Sequence, residues 1–233
     1  MKKASKRVEE FNKLFEKTKA YTLEEIVFIL KKAHKVKFDE TVDMVFNLGV
    51  DVKQSDQMVR GNIVLPHGIG KKVRIAVFCK GEESTAAKEA GADFVGGQDL
   101  IDKVKTGWLD FDVAIATPDM MKELAKLGKL LGPRGLMPSP RAGTVTMDVS
   151  KAVKEAKAGK VEFKLNKLGG INVLIGKLSF KEDQLVENAK MLIDAVNKAK
   201  PATSKGIYIK SIYVSSTMGP GLKLDASEYK IAQ

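Results

Sequence analysis

The chain is expected to hold two mixed α/β domains, one inserted into the other. Three observations predict this. The two ends of the 233-residue sequence mix amphipathic helices with alternating strand patterns, the signature of helices laid on an antiparallel sheet. The middle switches to short apolar runs taking turns with helical segments, which predicts a parallel sheet covered by helices. Neither end alone makes a balanced layer, so residues 1–67 and 160–233 are expected to form one outer α+β domain. Residues 68–159 form the inserted α/β domain, an arrangement tolerated because domain termini tend to lie close together at the surface.

In chain order, Val8, Phe11 and Phe15 fall on one helical face, and Thr22 with Glu25 makes a capping box for a helix carrying Ile26, Ile29, Leu30 and Ala33. Residues 42–50 and 61–65 read as strands. In the insert, residues 73–78, 93–95 and 113–116 read as strands, with helices at 84–90, 100–105, 118–131 and 150–158, the last capped by Ser150; 144–147 is a candidate further strand. Beyond Gly159, Val161, Phe163 and Leu165 alternate with polar residues. Gly169-Gly170 is expected to turn this strand into a hairpin with Ile171, Val173 and Ile175. A helix near 182–200 and a final edge strand at 207–214 complete the list.

The run Gly128–Pro140 (Gly-Lys-Leu-Leu-Gly-Pro-Arg-Gly-Leu-Met-Pro-Ser-Pro) is expected to be neither ordinary helix nor strand. Its three prolines remove backbone donors and its glycines admit conformations other residues avoid. A fixed, exposed loop carrying Lys129, Arg134 and, just beyond, Arg141 should result.

Lys and Arg number 40 against 29 Asp and Glu, a net charge of +11 with a pI near 9.5. Such a balance draws a protein toward polyanions without specifying its fold. The charge is uneven. Thirteen basic against ten acidic residues in 1–67, and twelve against seven in 160–233, give +8 for the outer domain; fifteen against twelve in 68–159 give +3. The outer domain is therefore the better candidate for the main polyanion surface.

Enzymatic chemistry finds little support. The single cysteine, Cys79, lies in an apolar run and reads as a buried structural thiol in a reducing cytosol. His34, at a helix end, and His67, beside a predicted hinge of Pro66, Gly68 and Gly159, have no partner at metal-ligand spacing. Gly68-Ile-Gly-Lys-Lys72 lacks the phosphate-loop spacing, and Gly96-Gly97 lacks the dinucleotide fingerprint. No catalytic residue, metal or cofactor is expected. The opening Met-Lys-Lys-Ala-Ser-Lys-Arg lacks a following apolar region, and no stretch approaches a membrane span. The rival reading is an enzyme whose insert binds a nucleotide.

Two stretches suit RNA better. In Lys35-Val-Lys-Phe-Asp-Glu-Thr41, an aromatic ring flanked by lysines and a hydroxyl either packs beneath the sheet or faces a nucleotide; the residues leave both open. In Ser215-Ser-Thr-Met-Gly-Pro-Gly221, small hydroxyls, an apolar side chain and a close-approach glycine suit ribose and base edges.

These stretches and the Gly128–Pro140 loop, in this order and separation, resemble the bacterial large-subunit ribosomal protein L-one family over essentially the whole chain. The resemblance implies a Rossmann-like inserted domain and a non-enzymatic protein of the cytoplasmic ribosome, monomeric when free. It implies direct binding of large-subunit rRNA at the mobile stalk near the exit (E) site and help in releasing deacylated tRNA. Repression of its own operon by binding that mRNA is also implied. Phe38, Thr41, Thr217, Met218 and Gly219 would form the outer domain's RNA surface, with Lys37, Lys167 and Ser211 as weaker additions. Gly132, Pro133, Arg134 and Gly135 would form a secondary RNA-facing loop.

Overall fold

A computed structural model describes residues 9, 11, 13–16, 19–33, 36–81, 83–204, 206–225 and 227–229. The chain divides into two compact units, Met1–Gly70 with Val161–Gln233, and Lys71–Lys160.

The first unit holds a five-stranded sheet. Its strands are β1 (Ala20–Tyr21), β2 (Thr41–Leu48), β8 (Gly170–Lys177), β9 (Ile209–Ser216) and β10 (Leu222–Leu224), in the order β1-β10-β9-β2-β8. Only β1 and β10 pair in parallel; the other neighbours are antiparallel. Helices α1 (Leu23–Lys32) and α7 (Glu182–Lys198) pack against each other and cover one face. Thr22 and Glu25 make the expected capping box. Val42, Met44, Phe46, Ile212 and Val214 meet Ile26, Leu30, Leu185, Leu192 and Ile193 in the core. Period-two alternation fixes the other face: Thr41, Asp43, Val45 and Asn47 lie uncovered across from Ser211, Tyr213 and Ser215.

Several local expectations are corrected. Residues 161–165 and 171–175 do not form a hairpin. Strand β7 (Lys160–Lys164) pairs with β3 (Arg60–Val64) as a separate two-stranded sheet, and only Leu165 bridges Ile171. Gly61 permits the pairing of β7 with β3: a Cβ there would sit 2.5 Å from the Phe163 ring, so the missing side chain lets that ring pack. Strand β9 is interior rather than at an edge, because β10 and β1, too short to show a sequence pattern, extend the sheet. Phe11 and Phe15 are buried as expected; Val8 and His34 lie outside the described residues.

The second unit has a parallel sheet ordered β5 (Phe94–Gly96), β4 (Ile75–Phe78), β6 (Val113–Ala116). Helices α2 (Glu83–Glu89), α3 (Gln98–Lys105) and α6 (Val149–Lys157) belong to this unit. All four residues of β4 are buried, as a central strand covered on both faces requires. Residues 118–131 are not one helix. They break into a 3₁₀ turn Pro118–Met120, α4 (Met121–Leu124), a second 3₁₀ turn Ala125–Leu127 and α5 (Gly128–Leu131), with the helix-weakening Gly128 mid-run. The start of the Gly128–Pro140 run is thus helical. Residues 144–147 contribute only a bridge from Val145 to Ala116. Asp148, not Ser150, caps α6: its carboxylate accepts the Lys151 N–H at 3.1 Å, and a negative group suits a helix N-terminus.

Asp112 clamps the entry to β4. It accepts from Lys71 Nζ at 2.7 Å and from the Arg74 backbone N–H at 3.1 Å. The Lys71 ammonium, then Arg74, hold its carboxyl down at about 2. A carboxyl pKa depressed by folding stabilises above its unfolded value, and that stability disappears as pH falls through about 2. Asp112→Asn is therefore expected to destabilise this unit at pH 7 by about 1 kcal/mol, discounted for the exposed lysine. The gap from wild type should close near pH 2. Urea unfolding followed by Trp108 fluorescence checks it, since this single tryptophan packs on Phe94 and Phe111 within the same unit.

Candidate nucleic-acid interface

Residues from opposite ends of the chain meet where β2 begins and β9 ends. Val42 pairs with Ser216, so the segments just before β2 and just after β9 emerge side by side. The Thr41 N–H donates to Thr217 Oγ1 at 3.0 Å, the Thr217 N–H donates to the Thr41 carbonyl at 3.0 Å, and the Thr217 hydroxyl donates to that same carbonyl at 3.3 Å. Lys177 on β8 joins them, donating from Nζ to Thr41 Oγ1 at 3.0 Å and to the Asp39 carbonyl at 3.3 Å.

Beneath this lies Glu40, only 4% exposed. Its Oε2 accepts the Ser216 hydroxyl at 2.7 Å and the Met218 N–H at 2.9 Å. A buried carboxylate accepting two donors is a strong, directional tie. It fixes the 216–219 turn, which closes through the Gly219 N–H donating to the Ser216 carbonyl at 3.1 Å. Gly219 has to be glycine here, because a Cβ would stand 2.3 Å from Ser216 Oγ and displace the hydroxyl that holds Glu40.

What this scaffold presents outward is apolar and polar together. Phe38 is 53% exposed and Met218 42% exposed. The ring therefore does not pack beneath the sheet. Lys37 and Thr217 are exposed beside them, and Thr41 is half-buried. A groove of about 220 Å³ runs alongside, lined by Val36, Phe38, Asp39, Glu40, Leu178 and Ser179. Asp39 is held there by the Ser179 N–H and hydroxyl at 3.2 and 2.8 Å. On the uncovered sheet face, burial pushes the Asp43 carboxyl above its ordinary range, with Lys177 opposing.

Ser211 and Lys167 are not brought to Phe38. Ser211 pairs with Asn47, six residues along β2 from Thr41, or about 20 Å at ~3.3 Å per residue. It shares the uncovered face with Thr41, through Tyr213 and Ser215. Lys167 is exposed in the turn before β8, at that same far end, where the Leu48 N–H donates to the Gly169 carbonyl at 2.9 Å. Lys35 lies outside the described residues.

Gly132, Pro133, Arg134 and Gly135 belong to the second unit and are all exposed. Their turn is pinned: Gly135 N–H donates to the Gly132 carbonyl at 3.1 Å, and Leu136 N–H to the Leu131 carbonyl at 3.0 Å. Gly135 sits at φ +70°, where other side chains are strained. The proposed hinge residues Pro66 and Gly68 belong to the first unit, and Gly159 to the second. Buried Asn188 on α7 accepts the His67 N–H at 3.2 Å and donates to the Gly68 carbonyl at 3.1 Å. His67 itself meets the Glu187 carboxylate at 2.6 Å.

Glu40, Lys177 and Ser216 were not singled out by sequence reading. Glu40 shares the inward parity of Val42 and Met44, so a signal existed for its burial. Its partner, 176 residues away, could not be read.

No three His, Cys, Asp or Glu residues gather as a metal site among the described residues. Cys79 is buried, and burial, then Glu83, pushes its thiol up, away from a reactive thiolate. No helix among the described residues is long and apolar enough to cross a membrane.

A family model described as the ribosomal protein L1p/L10e family matches residues 30–220. The large ribosomal subunit protein uL1 of Protochlamydia amoebophila (strain UWE25) is 53% identical over 232 residues. The alignment covers 100% of this chain and 98% of that relative.

Proposed function

The chain belongs to the ribosomal protein L1p/L10e family, and from that premise we propose that it binds large-subunit rRNA directly through the Phe38–Thr41 and Thr217–Gly219 segments of its first unit. The family is one of structural ribosomal proteins, not enzymes, and the matched relative is named for the large ribosomal subunit. The observation that carries the proposal is the Glu40 tie. Burying a carboxylate is costly unless it is hydrogen-bonded; here Glu40 Oε2 takes the Ser216 hydroxyl and the Met218 N–H, which ties the turn carrying exposed Met218 to the segment carrying exposed Phe38.

The chemistry fits RNA rather than a general polyanion. Lys37 and Lys177 supply positive charge for phosphates, while the Thr41 and Thr217 hydroxyls and the backbone near Gly219 suit 2′-hydroxyls and base edges. Phe38 offers a ring face, and Met218 an adaptable apolar contact. Seating on the mobile stalk near the E site, with Pro66, Gly68 and Gly159 as the hinge that lets the second unit follow departing tRNA, completes the reading. The Gly132–Gly135 loop would face RNA from that second unit. A leader-mRNA fold shaped like the rRNA site would occupy the same first-unit surface, so repression of the chain's own operon uses no additional residues.

Thr217→Ala and Met218→Ala are each expected to weaken rRNA binding about 5-fold, the worth of roughly 1 kcal/mol, with the melting temperature little changed. Filter binding with folded large-subunit rRNA reads this directly. Wild-type affinity in both variants would remove this surface from the interface.

A further inference from the structure

We infer that the second unit carries its own phosphate-tracking surface, a ridge of Lys122, Lys126, Lys129 and Arg134, and that its ligand is a strand of RNA. This inference rests on the family reading but concerns residues the first-unit surface does not use.

The ridge follows from how residues 118–131 fold. Although broken into four pieces, the segment keeps helical periodicity: Met120, Leu124, Leu127 and Leu131 are all buried within the unit's core. That stripe turns Lys122, Lys126 and Lys129 to the opposite, exposed side. The pinned Gly132–Gly135 turn then holds Arg134 out just beyond them. Among the described residues, none of these four cations meets a carboxylate partner, whereas Glu123, in the middle of the segment, is occupied by Lys80 at 3.1 Å. Four cations held on one edge without compensation cost self-repulsion, which a polyanion relieves.

The spacing is compatible with a phosphate chain. Lys122 and Lys129 lie seven residues apart, about 12 Å along a segment that rises ~1.5 Å per residue in its α-helical pieces and ~2.0 Å in the 3₁₀ turn between them. At ~3.4 Å of axis per phosphate a strand spreads about four phosphates over that length, so each of the three lysines can take one. The arginine fork beyond them matches a fourth, two-pronged phosphate contact.

The test uses the full chain, large-subunit rRNA and a salt series. The triple variant Lys122→Ala/Lys126→Ala/Lys129→Ala should keep its fold, since all three side chains are exposed; an unchanged Trp108 fluorescence melting curve checks this. Its log affinity against log salt should lose about 2–3 from the wild-type slope, at roughly 0.7–0.9 per released phosphate contact. Thr217→Ala should weaken binding with the slope intact, which separates this surface from the first. An unchanged slope in the triple variant overturns the ridge while leaving the first-unit surface standing. Loss of binding to poly-glutamate with the rRNA slope preserved overturns it too, by assigning the ridge to an acidic protein. A wild-type chain that fails to bind rRNA brings down the family reading itself.

Discussion

Glu40→Ala is expected to lower rRNA affinity by about 5- to 150-fold, at least as much as any truncation of the side chains that would touch RNA. The carboxylate makes no such contact on this account; it sits 4% exposed beneath the surface. Removing it leaves the Ser216 hydroxyl and the Met218 N–H without their acceptor. A buried donor stripped of its partner costs about 1–3 kcal/mol, and the 216–219 turn relieves that cost by moving toward water. RNA would then have to reorder the turn on binding, which carries the penalty into the affinity at ~1.4 kcal/mol per tenfold. Glu40→Gln keeps an acceptor oxygen while losing the charge, so a smaller loss is expected, of the order of one weakened hydrogen bond. Binding isotherms recorded well below each variant's melting temperature check both. Equal affinities for wild type and Glu40→Ala would show that RNA does not read the 216–219 turn.

Asn188→Leu is expected to destabilise the first unit by about 2–4 kcal/mol, with RNA affinity unchanged while the unit stays folded. Asn188 is fully buried on α7, and its amide is consumed by three backbone groups. It accepts the His67 N–H and donates to the carbonyls of Gly68 and Ile175 at 3.1 and 2.8 Å. Leucine fills the same space and supplies none of these bonds, leaving the buried Ile175 carbonyl and the partly buried bonds of His67 and Gly68 without their partner. The two units provide an internal control. Trp108 belongs to the second unit, so its urea transition should stay in place while the far-ultraviolet circular dichroism of the first unit shifts to lower denaturant. Coincident shifts in both signals would mean that the Asn188 anchor serves the whole chain as one cooperative block.

What sequence could disclose here followed the range of each interaction. Helix α1 was legible because its capping box and its apolar stripe are local. Phe38, Thr217 and Met218 could be named as a group, but nothing within ten residues of any of them says that they meet. Glu40 shows why: its acidity reads as surface, and only the pairing of β2 with β9 buries it against Ser216. The supposed hairpin failed for the same reason. The alternation from Val161 to Leu165 and from Ile171 to Ile175 is real, yet the partner of the first strand is β3, about a hundred residues earlier, where Gly61 leaves room for the Phe163 ring. Asp148 won the cap of α6 from Ser150 on reach alone, a matter of two residues. In the second unit the broken segment keeps the buried stripe of Met120, Leu124, Leu127 and Leu131, so helical spacing survives where continuous helix does not.

Two segments some 176 residues apart would act as one RNA-reading surface because a buried carboxylate joins them. A double-mutant cycle on rRNA affinity, combining Glu40→Ala with Met218→Ala, tests this most directly. If Glu40 acts by placing Met218, the double variant loses less than the two single losses together, by about 0.5–1 kcal/mol, the upper end being the whole cost of Met218→Ala. Losses that add within about 0.5 kcal/mol would contradict the account, since the two ends of the chain would then be binding RNA independently.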